Sequence, residues 1–365
     1  MMYTYFNFKC FFLFHLPHHP KIDYSFNANP KMEPFTPKYP SDRLPSILSS
    51  SNNTINYVTT TKKNCQFRQN LKNVLLAINF NHPFYDNIPT LKKFYEPHFG
   101  KVVFCGFKSN STYNVIKMNH GAGMQGYHCL ALAIKKYSNL QQKFEGYFYS
   151  NDDVILNFWN LNFDLDKVWL GTPVKWHHVH QRGRPAPTNW IWWASGAPRC
   201  EKVFHILKNM SITGDTSSLS NNSMDGVNLR EKLKKHLQIY YENSHRREIC
   251  MMSWSDAFYV PKKHAGFYAF LANIFEKELV FLEIASPTIL HILTGPNGLY
   301  QMHGKYHADP ELKHGTESFF KTYTFDIIFS HPFKLSSITN KKFFDLAIVP
   351  HAFEVVNQCN VNGLV

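Results

Sequence analysis

Apolar positions between residues 72 and 155 fall into two kinds of run. Asn73-Val-Leu-Leu-Ala-Ile-Asn79 and Lys101-Val-Val-Phe-Cys-Gly106 are short and continuous. That is the pattern of strands buried on both faces. Between them His82-Pro83 and Pro89 break the chain, and Thr90 to Phe99 predicts a short helix that Gly100 stops. From Gly126 to Tyr137, Leu130, Ala131, Ala133, Ile134 and Tyr137 recur at helical spacing. The aromatic run Gly146-Tyr-Phe-Tyr-Ser-Asn151 predicts a third buried strand. Strand, helix, strand, helix, strand implies an α/β fold with a parallel sheet and right-handed crossovers.

The second half is less regular. Lys167 to Gly171, Trp190-Ile-Trp-Trp-Ala194 and Met251 to Val260 predict strands. Leu229, Leu233, Leu237 and Tyr240 define an amphipathic helix with a basic outer face. Pro261 opens a helix reaching Phe275, and Ser286-Pro287 opens one from Thr288 to Leu293, stopped by Gly295-Pro296. Residues 17–70 are rich in Pro, Ser, Asn, Thr and Lys and lack periodicity. The expected organisation is a flexible leader at 1–70, one domain at 71–340 and a C-terminal tail at 341–365. The apolar stretch Tyr3 to Leu16 is shorter than the ~20 residues of a membrane span and carries Lys9. It reads either as a degenerate signal or anchor remnant, or as an aromatic leader.

Composition narrows the class. With 44% apolar and 18% charged residues, the 365-residue chain can build a sizeable core, which excludes wholesale disorder. The net charge of +13 leaves three readings: scattered surface charge, a basic cleft for an anionic nucleotide-linked substrate, or a nucleic-acid face. Lys and Arg form no single block and no recognition module is present, which argues against a nucleic-acid binder. Seven cysteines without a CxxC pair argue against a zinc ribbon and neither demand nor rule out one or two disulfides. Cys105 and Cys129, in apolar surroundings, read as small hydrophobes. Asn-x-Ser/Thr acceptors at Asn52, Asn110, Asn209 and Asn221 permit a secretory route without establishing one.

The chemistry concentrates where the third strand ends, at Asp152-Asp153. Burying an unpaired carboxylate costs several kcal/mol or more, so a metal ion or basic partner is expected there. Ligands of open α/β sheets collect at the carboxyl ends of the strands. Side chains alternate along a strand, so Asn151 and Asp153 share a side and Asp152 points away. That suits Asp153 to a metal and Asn151 to a sugar or ribose. The competing reading has an Asp capping a helix from Val154 to Leu161.

Four further positions carry paired readings. Asp256, among aromatics in Trp254-Ser-Asp-Ala-Phe-Tyr-Val-Pro261, is a general base or a strand-end hydrogen-bond acceptor. Glu283, in an apolar stretch, suits proton transfer through a raised pKa, or helps cap the following helix. His303, in a loop flanked by Gly298 and Gly304, completes a metal shell or is surface. His177, His178 and His180 with Arg182 and Arg184 contact phosphate or an acceptor glycan, chelate zinc through His178 and His180, or form a solvated loop. Gly121-Ala-Gly-Met-Gln-Gly126 spells a dinucleotide loop but lacks an adjacent strand and an acidic partner, which excludes a Rossmann site.

Gly146-Tyr-Phe-Tyr-Ser-Asn-Asp-Asp-Val-Ile-Leu-Asn-Phe-Trp-Asn-Leu161 resembles the acidic segment of the STELLO-like family, which has members in plants and nematodes. Trp254 to Pro261, Ser286-Pro-Thr-Ile289 and His331-Pro-Phe-Lys-Leu335 follow in that family's order. The resemblance covers roughly residues 72–340. It implies a Golgi glycosyltransferase-like protein with a nucleotide-diphospho-sugar (GT-A-like) fold, a mixed sheet flanked by helices. It further implies a UDP-sugar donor, a glycan acceptor, and Mn²⁺ or Mg²⁺ held by Asp153, Asp152 and His303. Asn151, Asp152, Trp159, His331 and Lys334 are then expected to bind substrate, and Asp256 or Glu283 to take the acceptor's proton. Two departures stand out: Asn151 replaces the first acid of a strict DxD motif, and no clear membrane anchor is present. The alternative within the same resemblance is a non-catalytic scaffold assisting other glycan synthases.

Overall fold

The structure, a computed structural model, describes residues 65–361 apart from 122–123, 139–143, 163, 172–190, 215–225, 245–249, 296–297, 308–319 and 321–322. The chain divides at Thr54 into two units, and every described residue lies in the second, Ile55–Val365. The leader expected at 1–70 and the His/Arg cluster at 177–184 therefore fall largely or wholly outside the described residues.

Seven strands form a mixed sheet in the order β3-β2-β1-β4-β7-β6-β8. They are β1 (Val74–Phe80), β2 (Lys101–Gly106), β3 (Ile116–Lys117), β4 (Gly146–Asn151), β6 (Val168–Leu170), β7 (Ala257–Pro261) and β8 (Leu299–Gln301). Strands β3, β2, β1 and β4 run parallel; β7 pairs antiparallel with both β4 and β6. A second sheet of three short strands, β5 (Ile155–Leu156), β10 (Phe329–His331) and β9 (Gly304–Tyr306), stands beside it in that order.

All seven residues of β1 and all six of β4 are buried, as continuous apolar runs demand when both faces are covered. Alternation splits them between two cores. Leu75, Ala77, Tyr147 and Tyr149 pack beneath helices α3 (Tyr127–Tyr137), α6 (Lys262–Lys277) and α7 (Leu282–Thr294). Leu76, Ile78 and Phe148 pack on the other face with α1 (Phe67–Leu71) and α2 (Ile88–Tyr95). The C-terminal helices α8 (Ile338–Phe343) and α9 (Val349–Val361), joined by a π-helical turn, complete that second face. Residues 341–361, expected as a tail, are thus helical, with Phe344, Ile348, Ala352 and Val355 buried.

Three elements differ from the sequence expectation. The strand expected at Trp190–Ala194 is replaced, over its described residues 191–194, by the start of α4 (Ile191–Thr213), which α5 (Gly226–Asn243) follows. A short apolar run does not distinguish a buried strand from a buried helix. Met251–Asp256 is irregular because its backbone bonds to α7 instead of a strand: the Met251 N–H donates to Thr288 Oγ1 (2.9 Å) and the Ser253 N–H to the Glu283 carbonyl (2.9 Å). Helix α7 begins at Leu282, five residues before Pro287. Proline lacks the N–H that would bond the carbonyl four residues back. That carbonyl belongs to Glu283 and is satisfied by Ser253, so the helix runs through Pro287 without an orphan acceptor.

Six of the seven cysteines form three disulfides: Cys65–Cys359, Cys105–Cys129 and Cys200–Cys250. The second corrects the reading of Cys105 and Cys129 as packed thiols; it ties β2 to α3. No described helix is long and apolar enough to cross a membrane.

Gly146 marks a tight packing point. A Cβ there would overlap the Tyr259 phenol on β7, whose hydroxyl donates to the Leu165 carbonyl (3.0 Å). Gly146→Ala is expected to lower stability by about 1–3 kcal/mol through overpacking. Urea unfolding checks this as a lower midpoint at unchanged slope. An unshifted midpoint would show that the phenol swings aside.

Candidate metal and substrate site

Strand β4 delivers Asn151 at its carboxyl end, and the next two residues, Asp152 and Asp153, form a turn. No helix follows: β5 starts at Ile155 and a single 3-10 turn spans Phe158–Asn160. The helix-capping reading of the acidic pair is therefore excluded. Because β7 is antiparallel to β4, its entrance meets β4's exit, and the Asn151 N–H donates to the Asp256 carbonyl (3.0 Å). The second sheet brings the third group. The antiparallel register Phe329↔Leu156, Ser330↔Ile155 carries His331 toward the acidic turn, and the Phe333 N–H donates to the Asp153 carbonyl (2.6 Å).

His331 Nε2 stands 3.4 Å from Asp153 Oδ1 and 3.5 Å from Asp256 Oδ1. Among the described residues, Asp153, Asp256 and His331 are the one group of three metal-capable side chains whose ligand atoms all lie within 4.8 Å of each other. Asp153 Oδ1 is buried and accepts no hydrogen bond. A carboxylate oxygen left in that state calls for a positive partner beyond a shared imidazole. Two carboxylates and an imidazole fit a divalent cation, Mn²⁺ more readily than Mg²⁺, which favours an all-oxygen shell.

Electrostatics follow from this crowding. Burial opposes the charge on His331, yet Asp256 and Asp153 prevail and hold its pKa up at about 9. Burial pushes Asp153 up, but His331 and Lys334 outweigh it and leave its pKa below the usual carboxylate value. Asp256 is raised, first by burial and then by Asp153, against the opposing pull of His331. Burial, with Asp153 next to it, lifts Asp152 to about 8. Glu283, in the first turn of α7, is pushed well above its ordinary value by burial and by Asp256; its Oε2 is buried without a hydrogen-bond partner.

The residues expected from the sequence separate into three groups. Asp153, Asp256 and His331 converge, with Lys334 close enough to act on both aspartates of the turn. Asn151 and Asp152 border the cluster, but both side-chain polar atoms of Asn151 and one carboxylate oxygen of Asp152 are engaged within the protein. Asn151 Oδ1 accepts from the Tyr149 hydroxyl (2.6 Å) and its Nδ2 donates to Asp256 Oδ1 (2.7 Å). Asp152 Oδ1 accepts the Asn81 N–H (3.1 Å). His303 and Trp159 lie elsewhere. His303 is exposed and outside the metal-capable group, where the imidazole is His331. Trp159 is buried, donates its indole N–H to the Phe325 carbonyl (3.0 Å) and packs edge-on against Phe158.

Two aromatic residues were not singled out by the sequence. The Tyr306 ring on β9 lies 5.3 Å from that of His331, and Trp254, 47% exposed, packs against Tyr306 with ring centroids 4.7 Å apart and planes tilted by 59°. They form an aromatic rim beside the acidic cluster. The only sequence signal was the position of Trp254 two residues before Asp256.

Residues 41–216 match a family model described as STELLO glycosyltransferases. A protein of Arabidopsis thaliana described as "Probable glycosyltransferase STELLO2" is 25% identical over 276 residues, covering 74% of this chain and 31% of its own length. The chain thus spans about a third of that relative. The resemblance carried by the acidic segment is borne out. Asp152 and Asp153 lie inside the region matched by the family model; Asp256, Glu283 and His331 lie beyond it.

Proposed function

We propose that this STELLO-like chain is a metal-dependent glycosyltransferase of GT-A type, moving a sugar from a UDP-sugar to a glycan hydroxyl. The observation that carries the reading is the convergence of Asp153, Asp256 and His331 at the carboxyl end of the central strand. A divalent cation held there would supply charge neutralisation for the departing diphosphate. The chain's own residues complete the site. Lys334 adds positive charge beside the acidic turn. Asn151 orients Asp256. Of the two carboxylates considered for the acceptor's proton, Glu283 is the one outside the metal-capable group, so it takes that role here. Trp254 and Tyr306 offer apolar faces at the rim that suit a sugar ring.

Three disulfides support residence in an oxidising compartment, compatible with the Golgi lumen. Calorimetry of UDP binding with and without Mn²⁺ tests the reading. The expected result is at least tenfold tighter UDP binding with Mn²⁺. UDP affinity indifferent to Mn²⁺, or no UDP binding, would overturn it and leave the non-catalytic scaffold.

A further inference from the structure

We infer that Asn110 is a site of N-linked glycosylation. The inference is independent of any transferase activity. It rests on the two described sequons and on the disulfides.

Asn110-Ser111-Thr112 lies in a six-residue loop beyond β2, at the β3 edge of the main sheet. The loop closes on itself: the Val115 N–H donates to the Asn110 carbonyl (3.1 Å), and Asn114 takes a positive φ of 53°. Within it, the Tyr113 N–H donates to Asn110 Oδ1 (3.1 Å). This bond fixes the amide by its oxygen and turns Nδ2, the atom to be glycosylated, away from that contact. Asn110 is half-exposed, and Ser111 and Thr112 are exposed. A bulky hydrophilic glycan on Nδ2 displaces no packed side chain.

The other described sequon is built differently. Asn209-Met-Ser211 sits inside α4, between Ile191 and Thr213. Its Ser211 is only 8% exposed and its hydroxyl donates to the Lys208 carbonyl (2.7 Å). The hydroxyl that the acceptor motif requires is therefore occupied and covered at Asn209, and open at Asn110.

The second line of support is redox chemistry. Three disulfides place the folding chain in an oxidising lumen, where N-glycosylation also takes place. In the transfer, Asn110 Nδ2 forms a bond to the anomeric carbon of a lipid-diphosphate-linked oligosaccharide. The bond from that carbon to the phosphate oxygen breaks, the lipid diphosphate leaves with the electron pair, and the amide proton passes to the transferring enzyme's base.

The test is expression of the full chain in animal cells, with peptide mapping before and after peptide-N-glycosidase in ¹⁸O water. The expected result is conversion of Asn110 to ¹⁸O-labelled Asp. Asn110→Gln and Thr112→Ala should each remove one glycan-sized increment of mass, and Thr112→Ser should retain it. Disulfides present with an unmodified Asn110 peptide would overturn the site. Free thiols at Cys105, Cys129, Cys200 and Cys250 with no glycan would overturn the compartment on which it depends.

Discussion

Asn151→Asp is expected to weaken Mn²⁺ binding by about 10- to 100-fold, although it converts Asn151-Asp-Asp into a sequence with two acids flanking one residue. The orientation of the Asn151 amide is set by its neighbours. Its Oδ1 accepts from the Tyr149 hydroxyl and from Asn79 Nδ2, so Nδ2 must face Asp256 Oδ1, 2.7 Å away. An aspartate in the same rotamer puts an oxygen at that contact. Two buried carboxylates this close do not both stay ionised. Asp256 is already raised by burial and by Asp153, so the shared proton suppresses the very anion the cation needs. Titration of Mn²⁺ by calorimetry, alone and with UDP, reads the effect. Equal or tighter binding would mean that position 151 is a ligand after all. Tyr149→Phe provides a second reading: it keeps the ring stacked on Phe258 at 4.6 Å and removes only the hydroxyl that holds Asn151. It should weaken Mn²⁺ in the same direction, by less.

This arrangement explains how far the site was legible in the sequence. Asp152 and Asp153 were visible because a buried strand ends on them. The partners were harder. Asp256 lies about a hundred residues downstream, and its place beside Asn151 depends on β7 running antiparallel to β4. Nothing in the local pattern of Ala257–Pro261 states that direction. His303 and His331 were equivalent by residue type; the pairing of β10 with β5 selects His331. Trp159 looked functional because it follows the acidic turn, but its indole N–H is taken up by the Phe325 carbonyl inside the core.

The fold shows the same division between local and distant information. Strands β1, β2 and β4 and helix α3 were readable because burial on both faces, or on one stripe, imprints a period on consecutive residues. The start of α7 was not, because Pro287 is tolerated only through a bond from Ser253, more than thirty residues away. Residues 65–70 read as the end of the leader because the Pro-, Ser- and Asn-rich stretch there has no sustained periodicity, and 341–361 as a tail because they lie beyond the segment the resemblance covers. Both belong to the core on the second face of the sheet, and the Cys65–Cys359 disulfide links them.

That link leads to the largest stability effect expected. Replacing Cys65 and Cys359 together with Ala should cost about 2–5 kcal/mol, the usual range for loss of a native disulfide from a small secreted domain. The bond spans 294 residues, against 50 for Cys200–Cys250 and 24 for Cys105–Cys129. Loop-closure entropy makes its constraint on the unfolded chain larger than that of the 24-residue bridge by about 2 kcal/mol. The local structure adds to this. Helix α1 has five residues, too few to persist alone, and is held by buried Phe67 and Leu71 and by an Arg68 hydrogen bond to Asn360 of α9. Phe67 packs on Phe158, in the 3-10 turn that follows the acidic pair in the chain, so loss of α1 removes packing from that turn. Hydrogen exchange should show protection lost first at residues 65–71 and 349–361 in the double variant. Urea midpoints should fall most for this pair and least for Cys105→Ala with Cys129→Ala. A cost for the 24-residue bridge equal to or above that of Cys65–Cys359 would show that native packing, not constraint of the unfolded chain, sets the value of these bonds.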